Sequence, residues 1–160
     1  MFFFMVAVFR YKCNRCRRVC NIRNCSVKTL EIRNLSDDYD ELDRIIARKL
    51  RVAFEEKHLH RNSDLTLESL AAECGTNRTY LSEFFNRKLN VSFTDYVNDY
   101  RIVRESIPLI RKYPHLPVSD IAMMSGFGSI ATFRRAFFRK TGLTPSEFKA
   151  AVRKSKTVKQ

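Results

Sequence analysis

Apolar side chains recur three and four residues apart over most of the chain after residue 40, and this spacing predicts amphipathic α-helices. The first such run is predicted to end near Glu56 and has its apolar face on Leu42, Ile45, Ile46, Leu50, Ala53 and Phe54. Four basic residues fall between these positions and are expected to face solvent: Arg44, Arg48, Lys49 and Arg51. Residues 58–64 lack this spacing and are predicted to be a loop. No run alternates as a strand would, so the predicted fold class is all-α.

The pattern after residue 65 repeats itself. At an offset of 51 residues, Leu70-Ala71 recurs as Ile121-Ala122, and Cys74-Gly75 recurs as Ser125-Gly126. The offset then becomes 52, as shown by the pairs Leu81 and Phe133, Phe85 and Phe137, Arg87-Lys88 and Arg139-Lys140, Ser92 and Thr144, and Tyr96 and Phe148. One residue inserted in the second turn explains this change. Such a long match in register indicates two copies of one structural unit.

The first copy has the signals of a helix-turn-helix unit. Thr66 can cap a short helix, and Gly75 permits the left-handed backbone that ends it. Asn77 can cap a second helix over residues 78–89, whose buried stripe is Leu81, Phe84 and Phe85 with Tyr80 beside it. The opposite side is polar, as a helix that reads base edges requires, and carries Arg78, Thr79, Ser82, Glu83 and Asn86.

The second copy follows the same plan, with Gly126 in the turn and a helix over about residues 129–140. Its core face is Phe133, Ala136 and Phe137. Arg135 can form a bidentate pair with guanine, and an apolar side chain can meet a thymine methyl group. The predicted base-reading positions of this helix are Ile130, Ala131, Thr132, Arg134 and Arg135.

A connecting helix is predicted between the two copies, over residues 93–113. About 20 residues at ~1.5 Å each span ~30 Å, close to the ~34 Å between successive major-groove segments on one side of DNA. One chain can therefore place both reading helices in successive turns of the groove. Pro108 lies within this helix and removes a backbone donor, so a kink or a stop is expected there.

Charge strengthens the nucleic-acid interpretation. The formal net charge is +13 and the isoelectric point about 9.9, with +7 in residues 1–34 and +7 in residues 116–160. A basic excess of this size indicates a polyanionic partner or an acidic membrane surface. Basic pairs follow both reading helices, so phosphate contacts are predicted for Arg87, Lys88, Arg139 and Lys140.

These residues resemble those of the AraC/XylS family of transcription regulators. The resemblance is most specific where the chain reads Gly126-Phe127, Gly142-Leu143 and Thr144-Pro145, and it extends over about residues 66–150. It implies two helix-turn-helix subdomains joined by a long linker helix and preceded by an amphipathic helix. It also implies sequence-specific binding of double-stranded DNA, and it assigns base reading to the outward positions named above. Phe138 departs from the family, which usually has a basic residue there, and the family's usual sensing domain is absent from this chain.

The chain is predicted to divide into a basic, cysteine-rich segment (1–34), the amphipathic helix and loop (35–65), the double helix-turn-helix domain (66–150) and a basic tail (151–160). Residues 1–9 are wholly apolar and too short to cross a bilayer. They are interpreted as a short tail or as the stump of a transmembrane helix. The expected location is therefore the cytoplasm, on DNA, with tethering to the inner membrane through the N-terminus as the alternative.

Four cysteines in the N-terminal segment raise the question of a metal site: Cys13, Cys16, Cys20 and Cys25. Four thiols can hold Zn²⁺ or an iron–sulfur cluster, but a basic stretch with incidental cysteines is favoured, and no cofactor is predicted. Three hypotheses remain: a DNA-binding regulator, which is favoured; a fragment of a membrane-tethered sensor-regulator; and a thiol or metal redox sensor fused to a DNA-binding domain.

The residues that enzymes use for catalysis do not form a recognisable set in the sequence. No paired carboxylates, Ser/His/Asp set or phosphate-cradling glycine loop is evident, so no enzymatic activity and no small-molecule site are predicted. His58, His60 and His115 fall in predicted loops and are expected at the surface. RNA polymerase is a further candidate partner of a transcription regulator.

Overall fold

A computed structural model describes residues 40–157, and the chain is helical throughout the elements found there. The first helix, α1 (Glu41–Arg51), continues as a π-helical turn, Val52–Glu56, and a short 3₁₀ turn, Leu59–Arg61, follows. The remaining elements, in chain order, are α2 (Leu67–Glu73), α3 (Arg78–Glu83) with a π-helical turn at Phe84–Lys88, α4 (Phe93–Arg101) with a π-helical turn at Ile102–Ser106, α5 (Ile107–Lys112), α6 (Val118–Met124), α7 (Ile130–Thr141) and α8 (Pro145–Thr157).

In the two helix-turn-helix units, the turn and the cap of the second helix are equivalent, as the repeat predicts. Gly75 and Gly126 both have a positive φ, +62° and +84°, where the first helix of each unit ends. The next helix is capped by Asn77 in the first unit and by Ser129 in the second, and each side chain accepts from the backbone N–H three residues later. The first turn thus runs over residues 75–77 and the second over residues 126–129. The inserted residue lies in the second turn.

Each unit has its own hydrophobic core, and the linker helix contributes to both. Phe85 in the first unit packs against Tyr96 of α4, with ring centroids 4.9 Å apart. In the second unit, Phe137 packs against Phe148 of α8 at 5.5 Å. Ile107 and Ile110, beyond the π-helical turn of the linker, belong to this second core. The linker therefore holds the units together as well as spacing them.

The amphipathic helix α1 packs into the core of the first unit. Ile46, Leu50 and Phe54 are almost fully buried there, which confirms the predicted apolar face of this helix. Leu42 was expected on the same face but is 47% exposed, whereas its neighbour Asp43 is buried. The burial of Asp43 in place of Leu42 could not be predicted from hydrophobic spacing, because the partners of Asp43 lie far along the chain. The division of the chain after residue 65 stays a prediction, although the helix before it and the unit after it share one core.

Pro108 neither stops the linker nor breaks it, since helical structure continues from Phe93 to Lys112. The turn just before the proline is π-helical, and the Ile107 N–H donates to the Ile102 carbonyl five residues earlier. The Ser106 hydroxyl also donates to the Arg101 carbonyl at 3.2 Å. In a regular α-helix the proline ring would clash with the carbonyl four residues earlier. A wider turn at this point relieves that contact, so the expected stop does not occur.

Residues 58–62 form a junction with the linker in which His60 is buried, so the expected exposure of His60 is wrong. The His60 side chain is 1% exposed, and its Nε2 lies 2.8 Å from Oε1 of Glu105 on the linker. The guanidinium of Arg61 donates to both oxygens of the same carboxylate, at 3.0 and 3.1 Å. Burial lowers the pKa of His60 despite the adjacent Glu105, so the ring is neutral at neutral pH. These contacts join the segment before α2 to the linker.

The junction also reaches the second unit. Arg101 on the linker is 7% exposed; its Nε donates to the His60 carbonyl at 2.6 Å and its Nη2 to the Asn62 carbonyl at 2.8 Å. The same guanidinium lies over the ring of Phe127, 5.4 Å from the centroid. Gly126 is packed so closely that a Cβ there would lie 2.7 Å from the Arg61 carbonyl oxygen. A segment before the first unit thus contacts the turn of the second.

Candidate nucleic-acid interface

The first reading helix consists of α3 and its π-helical turn, and its buried and outward sides are as predicted. Leu81, Phe84 and Phe85 face the core and are at most 2% exposed. On the outward side, Arg78, Thr79 and Glu83 are exposed and Ser82 is half-buried. Arg78 Nε lies 2.5 Å from Glu68 Oε1 of α2, in an ion pair whose side chains are both well exposed. This outward side is therefore polar and of mixed charge.

The second reading helix is α7, and its outward side has a different chemistry. Phe133 and Phe137 are fully buried, whereas Ile130, Ala131, Arg134 and Arg135 are exposed. Among residues 40–154, whose side chains the structure describes, neither Arg134 nor Arg135 has a carboxylate within 4 Å. The remaining predicted reading residue, Thr132, is half-buried, and its hydroxyl oxygen accepts from the Ser129 hydroxyl at 2.9 Å. Thr132 is thus part of the helix cap.

All four predicted phosphate-binding residues lie near acidic side chains. Arg87 is 3.7 Å from Glu83, and Arg139 is 2.6 Å from Asp95. Both arginines remain exposed, with 77% and 52% of their side chains accessible.

The two lysines pair with carboxylates that are less exposed than those of the arginines. Lys88 Nζ is 2.7 Å from Asp43 Oδ2, and Lys140 Nζ is 2.6 Å from Asp99 Oδ2. Only 13% of the Lys140 side chain is exposed. These pairs tie the C-terminal end of each reading helix to another helix, α1 in the first unit and α4 in the second. These pairs could not be predicted from the sequence, because the partners are 45 and 41 residues apart.

Asp43 is a positioning residue that sequence analysis missed. Its carboxylate accepts from the Tyr80 hydroxyl at 2.8 Å and pairs with Lys88, and both partners lie on the first reading helix. Burial acts to raise the pKa of Asp43, but the bonds from Lys88 and Tyr80 outweigh it, so the pKa lies below its ordinary value of 3.8. The ionised carboxylate therefore stabilises the native state and fixes this helix against α1.

We expect Asp43→Asn to lower the free energy of unfolding by about 1–3 kcal/mol near neutral pH, since it removes charge-assisted hydrogen bonds from a buried site. The folded pKa is depressed, so this stabilisation should be complete above about pH 5 and disappear as the pH falls below the ordinary carboxyl value. Urea unfolding followed by circular dichroism between pH 3 and 7 measures it. Glu56→Gln, an exposed carboxylate of the following turn, should change the stability by less than about 0.5 kcal/mol. An Asp43→Asn difference that stays constant down to pH 3 would contradict this role of the charge.

The other predicted features fall partly outside the described structure. Within residues 40–157, no cluster of ligating side chains suited to a metal is found, and no helix is long and apolar enough to cross a membrane. The N-terminal cysteines and the apolar residues 1–9 lie outside the described residues. The fifth cysteine, Cys74, is buried in the first core, and burial raises its pKa to about 11.

Comparison with known proteins yields a family model described as a helix-turn-helix domain, which matches residues 70–151 of the 160, about half of the chain. The uncharacterized HTH-type transcriptional regulator YdeC of Bacillus subtilis is 28% identical over 122 residues, which are 76% of this chain and 41% of that protein. An uncharacterized HTH-type transcriptional regulator of Staphylococcus aureus (strain MSSA476) is 34% identical over 91 residues, 57% of this chain and 12% of that protein. The chain thus spans less than half the length of either relative.

Solved structures show the same arrangement of helices. The C-terminal domain of AraT, a response regulator from Geobacillus stearothermophilus, superposes with a TM-score of 0.58 at 26% identity, over 70% of this chain and 88% of that domain. ToxT from Vibrio cholerae, solved with a bound unsaturated fatty acid, has a TM-score of 0.52 at 23% identity, over 82% of this chain and 45% of that protein. The second likeness shows the fold alone.

Proposed function

The chain belongs to the AraC-type helix-turn-helix family of transcription regulators, and from this we propose that it binds duplex DNA by placing α3 and α7 in successive segments of the major groove. The two helices occupy equivalent positions in the sequence repeat, and each follows a glycine turn and begins at a capping side chain. Each turns an apolar face to its own core and leaves the other face open. In helix-turn-helix proteins the second helix of the unit enters the major groove.

The outward side of α7 carries this proposal. Arg134 and Arg135 lie next to each other there, exposed, and without a carboxylate within 4 Å among the side chains that the structure describes. An unpaired guanidinium retains all its donors for a partner, and it matches the O6 and N7 acceptors of guanine in the major groove. Arg135 is one and a half turns into the helix, on the side away from Phe133. We therefore assign it the guanine contact.

Base reading is assigned further to the outward residues of both helices, namely Arg78, Thr79, Ser82, Glu83, Ile130, Ala131, Thr132 and Arg134. The exposure of Arg87 and Arg139 supports phosphate contacts by these arginines, because a surface ion pair is worth only about 0–1 kcal/mol and is readily exchanged for a phosphate. The low exposure of Lys140, and of Asp43 to which Lys88 is paired, favours a different role for the lysines. In this proposal they anchor the helix ends and contact phosphate only if those pairs open.

Substitutions at the two reading helices test the proposal. Arg135→Ala should lose about 1–3 kcal/mol of discrimination at one base position and retain non-specific binding. Glu83→Ala should relax specificity at a different position, because a carboxylate accepts from cytosine, and should strengthen non-specific binding, because it repels phosphate. Sequences selected from a random duplex pool by each variant and by the unaltered chain show which positions change. The two positions should lie about 10 base pairs apart.

A matched control separates base reading from loss of positive charge. Arg111 is exposed on α5, which is neither of the two reading helices, and Arg111→Ala removes the same charge as Arg135→Ala. We expect it to leave the selected sequence unchanged. The proposal is wrong if the unaltered chain selects no sequence. It is also wrong if Arg135→Ala and Glu83→Ala alter the same short stretch.

The same proposal includes the setting in which the protein acts. A regulator bound at a promoter meets RNA polymerase, which is therefore a candidate partner. In this proposal the protein acts on the chromosome, in the cytoplasm of a bacterium. A catalytic role is not part of the proposal.

A further inference from the structure

Phe138 is a large apolar side chain on the reading side of α7, and it is 55% exposed. It follows Ala131 by seven residues, so the two side chains point in nearly the same direction, two helical turns apart. Phe138 also follows Arg134 by four residues and Arg135 by three. Viewed down the helix axis, its side chain therefore points between those of the two arginines, one turn further along the helix. The buried stripe of Phe133 and Phe137 lies on the other side of the helix.

The equivalent position in the first unit has the opposite chemistry. At the offset of 52 residues, Phe138 corresponds to Asn86, whose Nδ2 donates to the Ser82 hydroxyl at 3.4 Å. The outward positions of the first reading helix are all polar or charged: Arg78, Thr79, Ser82, Glu83 and Asn86. The corresponding positions of the second are two arginines among apolar residues: Ile130, Ala131, Arg134, Arg135 and Phe138. The two units therefore present different surfaces to the groove.

The major-groove edges of the bases offer one apolar group, the 5-methyl group of thymine. An aromatic ring left in water gains free energy by covering such a group, and the gain is about 0.8 kcal/mol for one buried methyl. Ala131 and Phe138 are separated by about 10 Å along the helix axis, or three base-pair steps of ~3.4 Å. The ring is thus within the same short stretch of groove as Arg135.

We propose that Phe138 determines specificity by packing on the methyl group of a thymine within three or four base pairs of the guanine read by Arg135. This inference rests on the proposed function. The first unit then recognises its half-site by hydrogen bonds, and the second adds the methyl contact of Phe138 to its guanidinium contacts. DNA is favoured over a protein partner because Arg134 and Arg135 border the ring and would be costly to bury against an apolar protein surface.

The test removes the methyl group without changing base pairing. A duplex selected from a random pool by the unaltered chain is remade with each thymine replaced in turn by deoxyuridine, and the dissociation constants are compared. We expect one replacement, in the half-site that Arg135→Ala alters, to raise the dissociation constant about fourfold. This ratio corresponds to ~0.8 kcal/mol, since ~1.4 kcal/mol changes a dissociation constant tenfold. For Phe138→Ala, the thymine and deoxyuridine duplexes should bind equally at that position.

Two variants control this comparison, and thermal unfolding followed by circular dichroism verifies that all of them fold. Asn86→Ala changes the equivalent position of the first unit and should retain the fourfold difference. Met123→Ala removes another exposed apolar side chain, 72% accessible on α6, and should retain it too.

Four outcomes overturn the inference. If no replacement by deoxyuridine weakens binding, or if the difference persists in Phe138→Ala, the ring does not read a methyl group, although the chain still selects DNA. If Phe138→Ala instead changes the self-association of the chain in sedimentation and leaves DNA selection intact, the ring serves a protein interface. If the unaltered chain selects no duplex, the proposed function itself has failed.

Discussion

Gly126→Ala is expected to lower the free energy of unfolding by about 3 kcal/mol or more, which combines ~1–2 kcal/mol for a left-handed alanine with ~1–3 kcal/mol for overpacking. The φ of Gly126 is +84°, and an added Cβ would lie 2.7 Å from the Arg61 carbonyl oxygen and 2.8 Å from both the Arg61 Cα and the His60 carbonyl oxygen. All three are backbone atoms, which cannot move aside as a flexible side chain can. Urea unfolding followed by circular dichroism measures the loss.

The other turn glycines separate backbone strain from the clash. Gly142 also has a positive φ, +72°, but nothing lies within 4 Å of an added Cβ, so Gly142→Ala should show the strain alone, about 1–2 kcal/mol. At Gly75 the close atom is Nζ of Lys49, 2.8 Å away, which is the end of a flexible side chain. Gly75→Ala should therefore resemble Gly142→Ala. Equal losses at all three glycines would mean that residues 60–61 do not pack against the second turn.

Arg101→Met should also be strongly destabilising, by about 2–4 kcal/mol, since each buried carbonyl that loses its donor costs about 1–3 kcal/mol. The substitution leaves the carbonyl oxygens of His60 and Asn62 without the guanidinium N–H groups that lie 2.6 and 2.8 Å away. Methionine fills a similar volume, so the loss of donors is the main change. Relief of the buried charge offsets only a part of it. Urea titration measures the change in stability.

Arg104→Met, three residues further along the linker, provides the comparison. Arg104 is exposed; its guanidinium lies 3.8 Å from Glu55 and 5.9 Å from the Tyr100 ring centroid. A surface pair of this kind contributes about 0–1 kcal/mol, so Arg104→Met should change stability little. If the two variants are equally stable, the junction of residues 58–62 with the linker does not stabilise the fold.

The helices, the two turns and the buried stripes could be predicted from the sequence because their causes are local. The 3–4 spacing of Leu81, Phe84 and Phe85 reports one face of one helix, and Gly126 reports one turn. The change of offset from 51 to 52 even located the inserted residue. The outward positions of α7 could be predicted from the same 3–4 spacing, because a helix residue that is not on the buried face lies on the exposed face.

The remaining features depend on residues that are far apart in sequence. Nothing near His60 shows that it is buried, because its partner Glu105 lies 45 residues later. Asp43 is buried and Leu42 is exposed because Asp43 bonds to Tyr80 and Lys88, which lie 37 and 45 residues further along the chain. The kink or stop predicted at Pro108 follows from the geometry of a regular α-helix, whereas the turn before the proline is π-helical and wider. Which side chains pair, and whether a helical turn is α or π, depend on the whole folded chain and cannot be predicted from a short stretch of sequence.

In the proposed binding mode, the π-helical turn Ile102–Ser106 makes the number of residues in the linker a determinant of the distance between the two half-sites. One residue of an α-helix corresponds to about 100° of rotation. A related chain with neither the proline nor the π-helical turn would have one residue fewer at this point, and its second unit would be rotated relative to the first by that angle. Neighbouring base pairs differ by about 34° of twist, at 10–10.5 per turn of DNA, so this rotation matches about three base pairs. Insertions and deletions at this point, rather than substitutions, are therefore the route by which a related chain would come to recognise half-sites with a different separation.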